Sequence, residues 1–390
     1  MNILFVTNFF PMFGNGNSGA SNRSTMFVSA LASIGHVDVI SFAGEEISTI
    51  PDVDVVFSQH VQNNRQVPES RIKNVIKLLK PFSPSYHYPI DNGKQDIINE
   101  FLSRKEYDYI ACRYFHEAVY CGLLRYPTRL ILDLDDTPQS VIRKDALHCK
   151  TLRNRIWHIA YSRTLCLMTR FVLKDVFCSF YSNANQPPSP KSHYLHNVAL
   201  LKQDVGEVSP SLPKRILIVG WMDYLPNKVG VNHFLENVYP DVIAMDPSVE
   251  LHIVGKLSDE NMKQKWNTFP NVHCLGYVAD LAEEYAQARM VVIPLYEGSG
   301  TSVKLVEAMQ MKRPCVSTKV GMRGFEDILI PGRDLVVTES DSDFSRKIVE
   351  LMDDVERGNN LARNAARVVD MHLSKEKFTS IVVDSIKASC

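Results

Sequence analysis

The sequence has no CxxC pair, no run approaching about 18 apolar residues and no excess of charge, and each absence closes off a class of protein. Its eight cysteines (Cys112, Cys121, Cys149, Cys166, Cys178, Cys274, Cys315 and Cys390) stand singly, mostly among apolar neighbours. Without CxxC spacing they are expected to be free buried thiols in a reducing compartment rather than disulfides or a cysteine zinc site. The opening residues, MNILFVTNFFP, carry no cationic leader, and their apolar stretch is too short to export or span. A cytoplasmic protein is the expectation. With a net charge of −1 over 390 residues, nothing draws the whole chain to nucleic acid. The first 200 residues are slightly basic and the remainder slightly acidic, a weak preference for anionic surroundings on the amino side.

What is present is ordinary globular material: 45% hydrophobic and 22% charged residues, long enough for two domains of about 150–200 residues each. Ile3–Thr7 reads as a strand, and a loop with Gly14, Gly16 and Gly19 follows. A helix over about Asn22–Ile34 and a strand in GHVDVISF complete a βαβ opening. That pattern implies a doubly wound parallel sheet with ligands at the carboxyl ends of its strands. GNGNSG has the letters of a dinucleotide fingerprint, but the acidic residue expected about 20 positions later is missing, since Ser41-Phe42 stands there. The glycine loop is then either one wall of a ligand cleft or a plain surface loop.

Further strands are predicted at Tyr107–Cys112, ending at Arg113 and His116, and at Leu130–Leu134, with Asp133, Asp135 and Asp136. Residues 71–80 read as a short basic amphipathic helix. Arg143–Lys174 holds eight Lys or Arg against one acidic residue, Asp145, on one or two helices. Such a run is either a solvated face or a patch resting on anionic lipid. Val172–Ser179 reads as another short strand and turn.

Asn183–Pro213, rich in Pro, Ser and Asn, reads as the linker. The pattern then restarts with strands at Arg215–Gly220, Glu250–Gly255, Val272–Gly276, Val291–Ile293, Arg313–Ser317 and Leu335–Val337. Helices are expected at Val231–Val238, Leu281–Ala288, 341–357 and from about 360 onward, interrupted near Met371–Ser374. Two Rossmann-like α/β domains enclosing a cleft are the expected architecture: 1–200, 201–372, and a final helix, 373–390, returning to the first.

The most informative stretch is VVIPLYEGSGTSVKLVE, from Val291 to Glu307. A buried strand stopped by Pro294 leads into the tight loop Gly298-Ser299-Gly300-Thr301-Ser302, and a helix begins near Val303 with Thr301 or Ser302 as its cap. Glycines admit close approach of the main chain, and the first amides of a helix point outward unpaired, which together suit phosphate. Lys304 adds a cation, and Glu307 could accept bonds from a sugar diol. On the loop alone, an ordinary strand–loop–helix connection is an equal alternative.

Four segments in order, RILIVGWMDYLPNKVGVNHFL, ELHIVG, VHCLGYVADLAEEYAQARMVVIPL and EGSGTSVKLVEAMQMKRPCVSTKVGMRGF, resemble the retaining GT-B glycosyltransferases of family 4 (group 1). The resemblance implies two Rossmann-like domains, the second binding a UDP- or GDP-linked sugar. It assigns Glu307 to the second glutamate of the family's E-x7-E motif, on the ribose hydroxyls; the first glutamate is replaced by Ser299, with Glu297 two residues away. It places Tyr277 and Val278 at the nucleobase, and Gly220, Asn227 and Lys228 near the diphosphate. Gly14 and Gly16 would approach the diphosphate from the first domain, and His116, or equally Arg113, would meet the donor sugar. His196–Val198 resembles the segment that closes that domain.

The resemblance implies transfer with retention of anomeric configuration. The leaving diphosphate would be stabilised by helix amides at Gly300–Ser302 with Lys304 and Lys228, and no cofactor or metal would be needed. His116, Lys304 and Lys228 are the expected catalytic group. Asp133-Leu134-Asp135 spells DxD, a metal motif of another glycosyltransferase fold, but is expected only to end a strand. The acceptor would be a glycan or lipid-linked, in bacterial surface polysaccharide or lipopolysaccharide synthesis. The enzyme would be cytoplasmic, with peripheral contact to the inner face of the membrane through 71–80 and 143–174. A sugar-nucleotide epimerase, another GT-B enzyme and a catalytically silent nucleotide-sugar-binding protein are the alternatives.

Overall fold

A computed structural model describes residues 1–8, 19–42, 53–58, 78–80, 82–146, 149, 151–182, 189–199, 205–298 and 300–389. The chain divides into two compact units. Unit 1 comprises Met1–Phe13, Arg23–His196 and Phe378–Cys390; unit 2 comprises Gly14–Asn22 and Asn197–Lys377.

Unit 1 is built on β1 (Asn2–Thr7), β2 (His36–Ser41), β3 (Val53–Ser58), β4 (Tyr109–Arg113), β5 (Leu130–Asp135), β6 (Cys178–Tyr181) and β7 (Ser192–Tyr194), in the spatial order β3-β2-β1-β4-β5-β6-β7. Every pairing is parallel. The central strands are buried on both faces, which is why they read as unbroken apolar runs such as ILFV and LILDL. Leu4, Val6, Ile110, Leu132, Leu165 and Met168 lie in one core cluster. Phe378, Val382 and Ile386 of the last helix, Lys375–Ser389, are buried as well.

A buried aspartate, Asp133, and a half-buried one, Asp135, stand at the carboxyl end of β5. Arg23 grips Asp133 through Nε and Nη2 at 2.8 and 2.7 Å, and its Nη1 donates to the carbonyl of Leu195 at 3.0 Å. Arg113 pairs with Asp133 at 3.2 Å and with Asp135 at 2.9 Å, and donates to the Ser24 hydroxyl at 2.9 Å. Burial alone would ease the proton off Arg23; the charges of Asp133 and Asp135 outweigh that and hold it more firmly than usual. The DxD letters therefore belong to an ion-pair cluster in which two guanidinium groups take up the carboxylates.

Unit 2 repeats the plan with β8 (Arg215–Val219), β9 (Glu250–Val254), β10 (Val272–Gly276), β11 (Met290–Ile293), β12 (Cys315–Thr318) and β13 (Val336–Thr338), in the order β10-β9-β8-β11-β12-β13. All these pairings are parallel too. Ile216, Ile218, Phe234, Leu251, Trp266 and Val292 belong to one buried cluster, where the Trp266 indole N–H donates to Asn232 Oδ1 at 2.7 Å.

Several sequence expectations are corrected. VDVVFS forms β3, a strand the periodicity did not single out. The stretch read as a linker contains β7, paired in register with β6. Val172 and Leu173 end the 22-residue helix Leu152–Leu173, so the following strand begins only at Cys178. The helix expected from Val231 starts at Leu225, with Pro226 in its first turn, where the missing N–H costs nothing. The proposed helix at 71–80 lies outside the described residues up to position 77. Cys149 and Cys166 are only partly buried, whereas Cys112, Cys121, Cys178, Cys274 and Cys315 are buried thiols.

Gly230 sits inside helix Leu225–Asn237, where glycine ordinarily weakens a helix. Here it allows a close approach: a Cβ at this position would stand 2.0 Å from the carbonyl oxygen of Pro294, just past β11. Gly230→Ala is expected to destabilise the protein by more than about 2 kcal/mol, measured by urea unfolding; a neutral change would show that the helix can shift freely off the strand end.

Candidate functional site

In unit 2 the strand order reverses between β8 and β11. Chain leaving these neighbours turns to opposite faces, opening a crevice at their carboxyl ends, the usual ligand position in such sheets. Gly220 follows β8 and precedes helix Leu225–Asn237; Pro294 follows β11 and leads to helix Val303–Gln310. Residues from the two connections meet. Lys304 Nζ donates to Asn227 Oδ1, while Asn227 Nδ2 is anchored on the carbonyl of Trp221 at 2.8 Å. A Cβ on Gly220 would lie 3.1 Å from Lys304 Nζ and 3.0 Å from Asn227 Nδ2.

Burial governs the electrostatics. It pushes the Lys304 ammonium down to about 8, with the Glu307 carboxylate opposing it. Burial also raises Glu307, against the hydrogen bond from Tyr285 and the charge of Lys304. The Tyr285 hydroxyl donates to Glu307 Oε1 at 2.7 Å. Ser302 occupies the N-cap position with extended backbone, yet its side chain makes no capping bond. Its Oγ is buried without a partner among the described residues. An unmet buried hydroxyl costs about 1–3 kcal/mol, a cost that a ligand oxygen would relieve.

Around this group the loop is tied down on two sides. Asn197 Nδ2 donates to Thr301 Oγ1 at 2.7 Å, and Arg323 donates to the carbonyl of Gly298. Gly298 has φ +126°, a conformation suited to glycine, so the turn into the loop depends on it.

The structure brings together Gly220, Asn227, Lys304 and, within the same helix, Ser302 and Glu307. Lys228 is not joined to this group: it lies near Asp223, whose carboxyl is held below its usual range by the Ser258 amide and hydroxyl, with Lys228 contributing. Tyr277 is 63% exposed at the end of β10, the edge strand, with Val278 next to it. Gly14, Gly16 and Ser299 lie outside the described residues, and Gly300 is exposed. In unit 1, His116 stands just past β4 in helix Phe115–Tyr120, stacked on Tyr114 with ring centroids 5.4 Å apart. Burial lowers its pKa, which favours the neutral ring. Tyr114 holds φ +68°, unusual for a side-chain-bearing residue, and its hydroxyl accepts from Arg113 at 3.0 Å.

Sequence reasoning missed Tyr285 and Arg323 and gave Asn197 only a segment resemblance. A buried tyrosine in an amphipathic helix carries no signal of its hydroxyl's partner. Arg323, five residues past β12, gives no hint of the carbonyl it reaches.

Residues 213–354 match the family model described as "Glycosyl transferases group 1". Unit 2 thus carries a domain of that family, and the chain has the GT-B architecture. The chain resembles an uncharacterised 44.6 kDa protein of the cps region of Klebsiella pneumoniae, 24% identical over 94% of this chain and 95% of the relative. Among solved structures it resembles sucrose-phosphate synthase from Thermosynechococcus elongatus (TM-score 0.69, 15% identity, 99% and 98% of the two chains). It also resembles Anabaena HepE in complex with UDP and glucose (0.64, 13%, 99% and 99%). WaaG, a glycosyltransferase involved in lipopolysaccharide biosynthesis, is similar as well (0.62, 14%, 98% and 99%). At these identities the structural likenesses establish the fold.

If Lys304 must be protonated to hold a diphosphate, the affinity for UDP or GDP falls as pH rises through about 8. Lys304→Met should weaken binding and remove that dependence. Calorimetric titration between pH 6.5 and 9.5 checks both, and a flat profile in the unaltered protein would remove Lys304 from the site.

Proposed function

We propose that the protein is a retaining, metal-independent glycosyltransferase that moves a hexose from a UDP- or GDP-linked donor to a glycan or lipid-linked acceptor. The observation that carries this reading is the meeting of Lys304, Asn227 and Gly220 where the strand order of unit 2 reverses, beside a helix whose cap hydroxyl is unmet. The bond from the anomeric carbon to the diphosphate breaks, and a bond from the acceptor oxygen forms on the same face. The acceptor proton passes to the departing phosphate. The charge that develops on the diphosphate is met by Lys304 and the first amides of helix Val303–Gln310. Asn227 orients the Lys304 ammonium, and Glu307, held by Tyr285, offers its other oxygen to the ribose hydroxyls. Lys228 and His116 are carried as further catalytic candidates, Tyr277 and Val278 as nucleobase contacts, and Gly14 and Gly16 as diphosphate contacts.

HepE is described in complexes with UDP-glucose and with UDP, the K. pneumoniae relative lies in a cps region, and WaaG serves lipopolysaccharide synthesis. These support a nucleotide-sugar donor and a role in surface polysaccharide synthesis. Ser299, in place of the motif's first glutamate, favours a second reading, a protein that binds the donor without transferring it.

The test is a panel of UDP- and GDP-sugars by thermal shift, then transfer to candidate acceptors with the product's anomeric configuration read by NMR. Retention, with activity unchanged by EDTA, is expected. Glu307→Ala should weaken donor binding by about 1–3 kcal/mol, and Lys304→Ala should lower kcat more than it raises KM. Inversion, or loss in EDTA restored by Mg2+ or Mn2+, would overturn the mechanism; binding without turnover would support the silent reading.

We also propose peripheral contact with the cytoplasmic membrane face through the 143–174 segment, along with 71–80. No helix of the described residues is long and apolar enough to cross a membrane. Helix Leu152–Leu173 exposes Leu152, Ile156, Leu167 and Phe171 among the exposed Arg153, Arg155, Arg163 and Arg170, and Phe82 packs on Phe171. Co-sedimentation should occur with vesicles containing phosphatidylglycerol and weaken with salt, and Ile156→Asp should reduce it. Equal pelleting with purely zwitterionic vesicles, or none at all, would return this face to solvent.

A further inference from the structure

The opposite end of the unit 2 sheet holds a second set of ligating side chains. Glu250 and His252 are the first and third residues of β9, so both project from the same face of the strand. His273 on β10 stands directly across from His252 in the parallel register. The two imidazole rings lie 5.2 Å apart between centroids at 71°. One ligating atom from each of Glu250, His252 and His273 falls within 4.8 Å of the other two.

Two of the three side chains are held in place. His252 Nδ1 bonds to Glu284 Oε2 at 2.8 Å, from helix Leu281–Gln287, leaving Nε2 as the ring nitrogen available to a ligand. Glu250 Oε1 accepts from Arg215 Nε at 2.7 Å, which leaves Oε2. His273 is exposed and can swing its ring toward them. An imidazole whose far nitrogen is fixed by a carboxylate is the arrangement that orients histidine on a metal.

We propose that Glu250, His252 and His273 form a binding site for a divalent transition-metal ion of the zinc class, with Glu284 as a positioning residue for His252. Two imidazoles and a carboxylate suit zinc-type ions rather than magnesium or calcium, which prefer all-oxygen sets; water completes the coordination. The site lies near the starts of β9 and β10, whereas sugar-nucleotide chemistry is expected at the strands' carboxyl ends. Its effect is mechanical: the ion clamps β10, the edge strand, whose register with β9 slips between Cys274 and Gly276. This inference does not depend on the proposed catalytic reading.

The experiment uses the untagged full chain, stripped with EDTA and dialysed, titrated with ZnCl2 while Tm is followed, and separately with Co2+ while visible absorption is recorded. Zn2+ at about 100 µM should raise Tm and saturate at one equivalent, and Mg2+ at the same concentration should not. Co2+ should give d–d bands of a four- or five-coordinate ion. His273→Ala, at an exposed position that tolerates the change, and His252→Ala should each weaken Zn2+ binding at least tenfold; Glu284→Gln should weaken it by about 10–100-fold. Variants that bind Zn2+ as well as the unaltered chain would overturn the site. So would an unaltered chain with no uptake and no rise in Tm.

Discussion

The candidate site depends on how closely a helix can lie against the end of a strand. Without a Cβ at Gly230, helix Leu225–Asn237 settles onto the carbonyl of Pro294. One turn earlier in the same helix, Asn227 is thereby presented to Lys304, which comes from the connection on the other side of the strand. The bare backbone at Gly220 leaves the space in which the two side chains meet. A side chain at Gly220 would crowd Asn227 and Lys304 directly, and one at Gly230 would push the helix off the Pro294 carbonyl. Fold and site are coupled through main-chain contacts rather than through a pocket added to a finished scaffold.

The two sheets share one winding order, and each reverses direction near its middle. They treat charge there differently. In unit 1, Asp133 and Asp135 are matched by Arg23 and Arg113, with Ser24, Ser182 and Tyr114 taking part, and the result is a rigid, neutralised cluster. In unit 2 the balance is incomplete: Lys304 is pushed toward losing its proton, Glu307 toward gaining one, and Ser302 Oγ has no partner among the described residues. A buried polar group left short of partners costs stability, and such costs are tolerated mostly where a ligand repays them. The contrast within one chain sets a neutralised charge cluster beside the candidate site.

The strand-by-strand plan was largely legible because buried parallel strands are written as apolar runs, and RILIV, ELHIV and MVVI all formed where such runs stand. β3 and β7 were not legible. In VDVVFS, a single aspartate breaks the run, and SHY has no apolar residue beyond the tyrosine, so pairing in the sheet decided both. At the site, residues named by local pattern (Gly298, Ser302, Lys304) came from one loop and one helix. Partners distant in sequence, Tyr285, Asn197 and Arg323, are defined only by where the chain folds back. Asn227 reaches Lys304 and Lys228 does not, a matter of helix phase that could not be read while the helix was expected to begin at Val231 rather than Leu225.

The route of the chain has a consequence for synthesis. Unit 1 takes in residues 378–390, with Phe378, Val382 and Ile386 inside its packing, while residues 197–377 form the other unit. On the ribosome, therefore, the second sheet can be completed while the first still lacks its last helix. Until residues 378–389 emerge, the early half of the polypeptide waits with an apolar surface uncovered, a surface exposed to aggregation during translation.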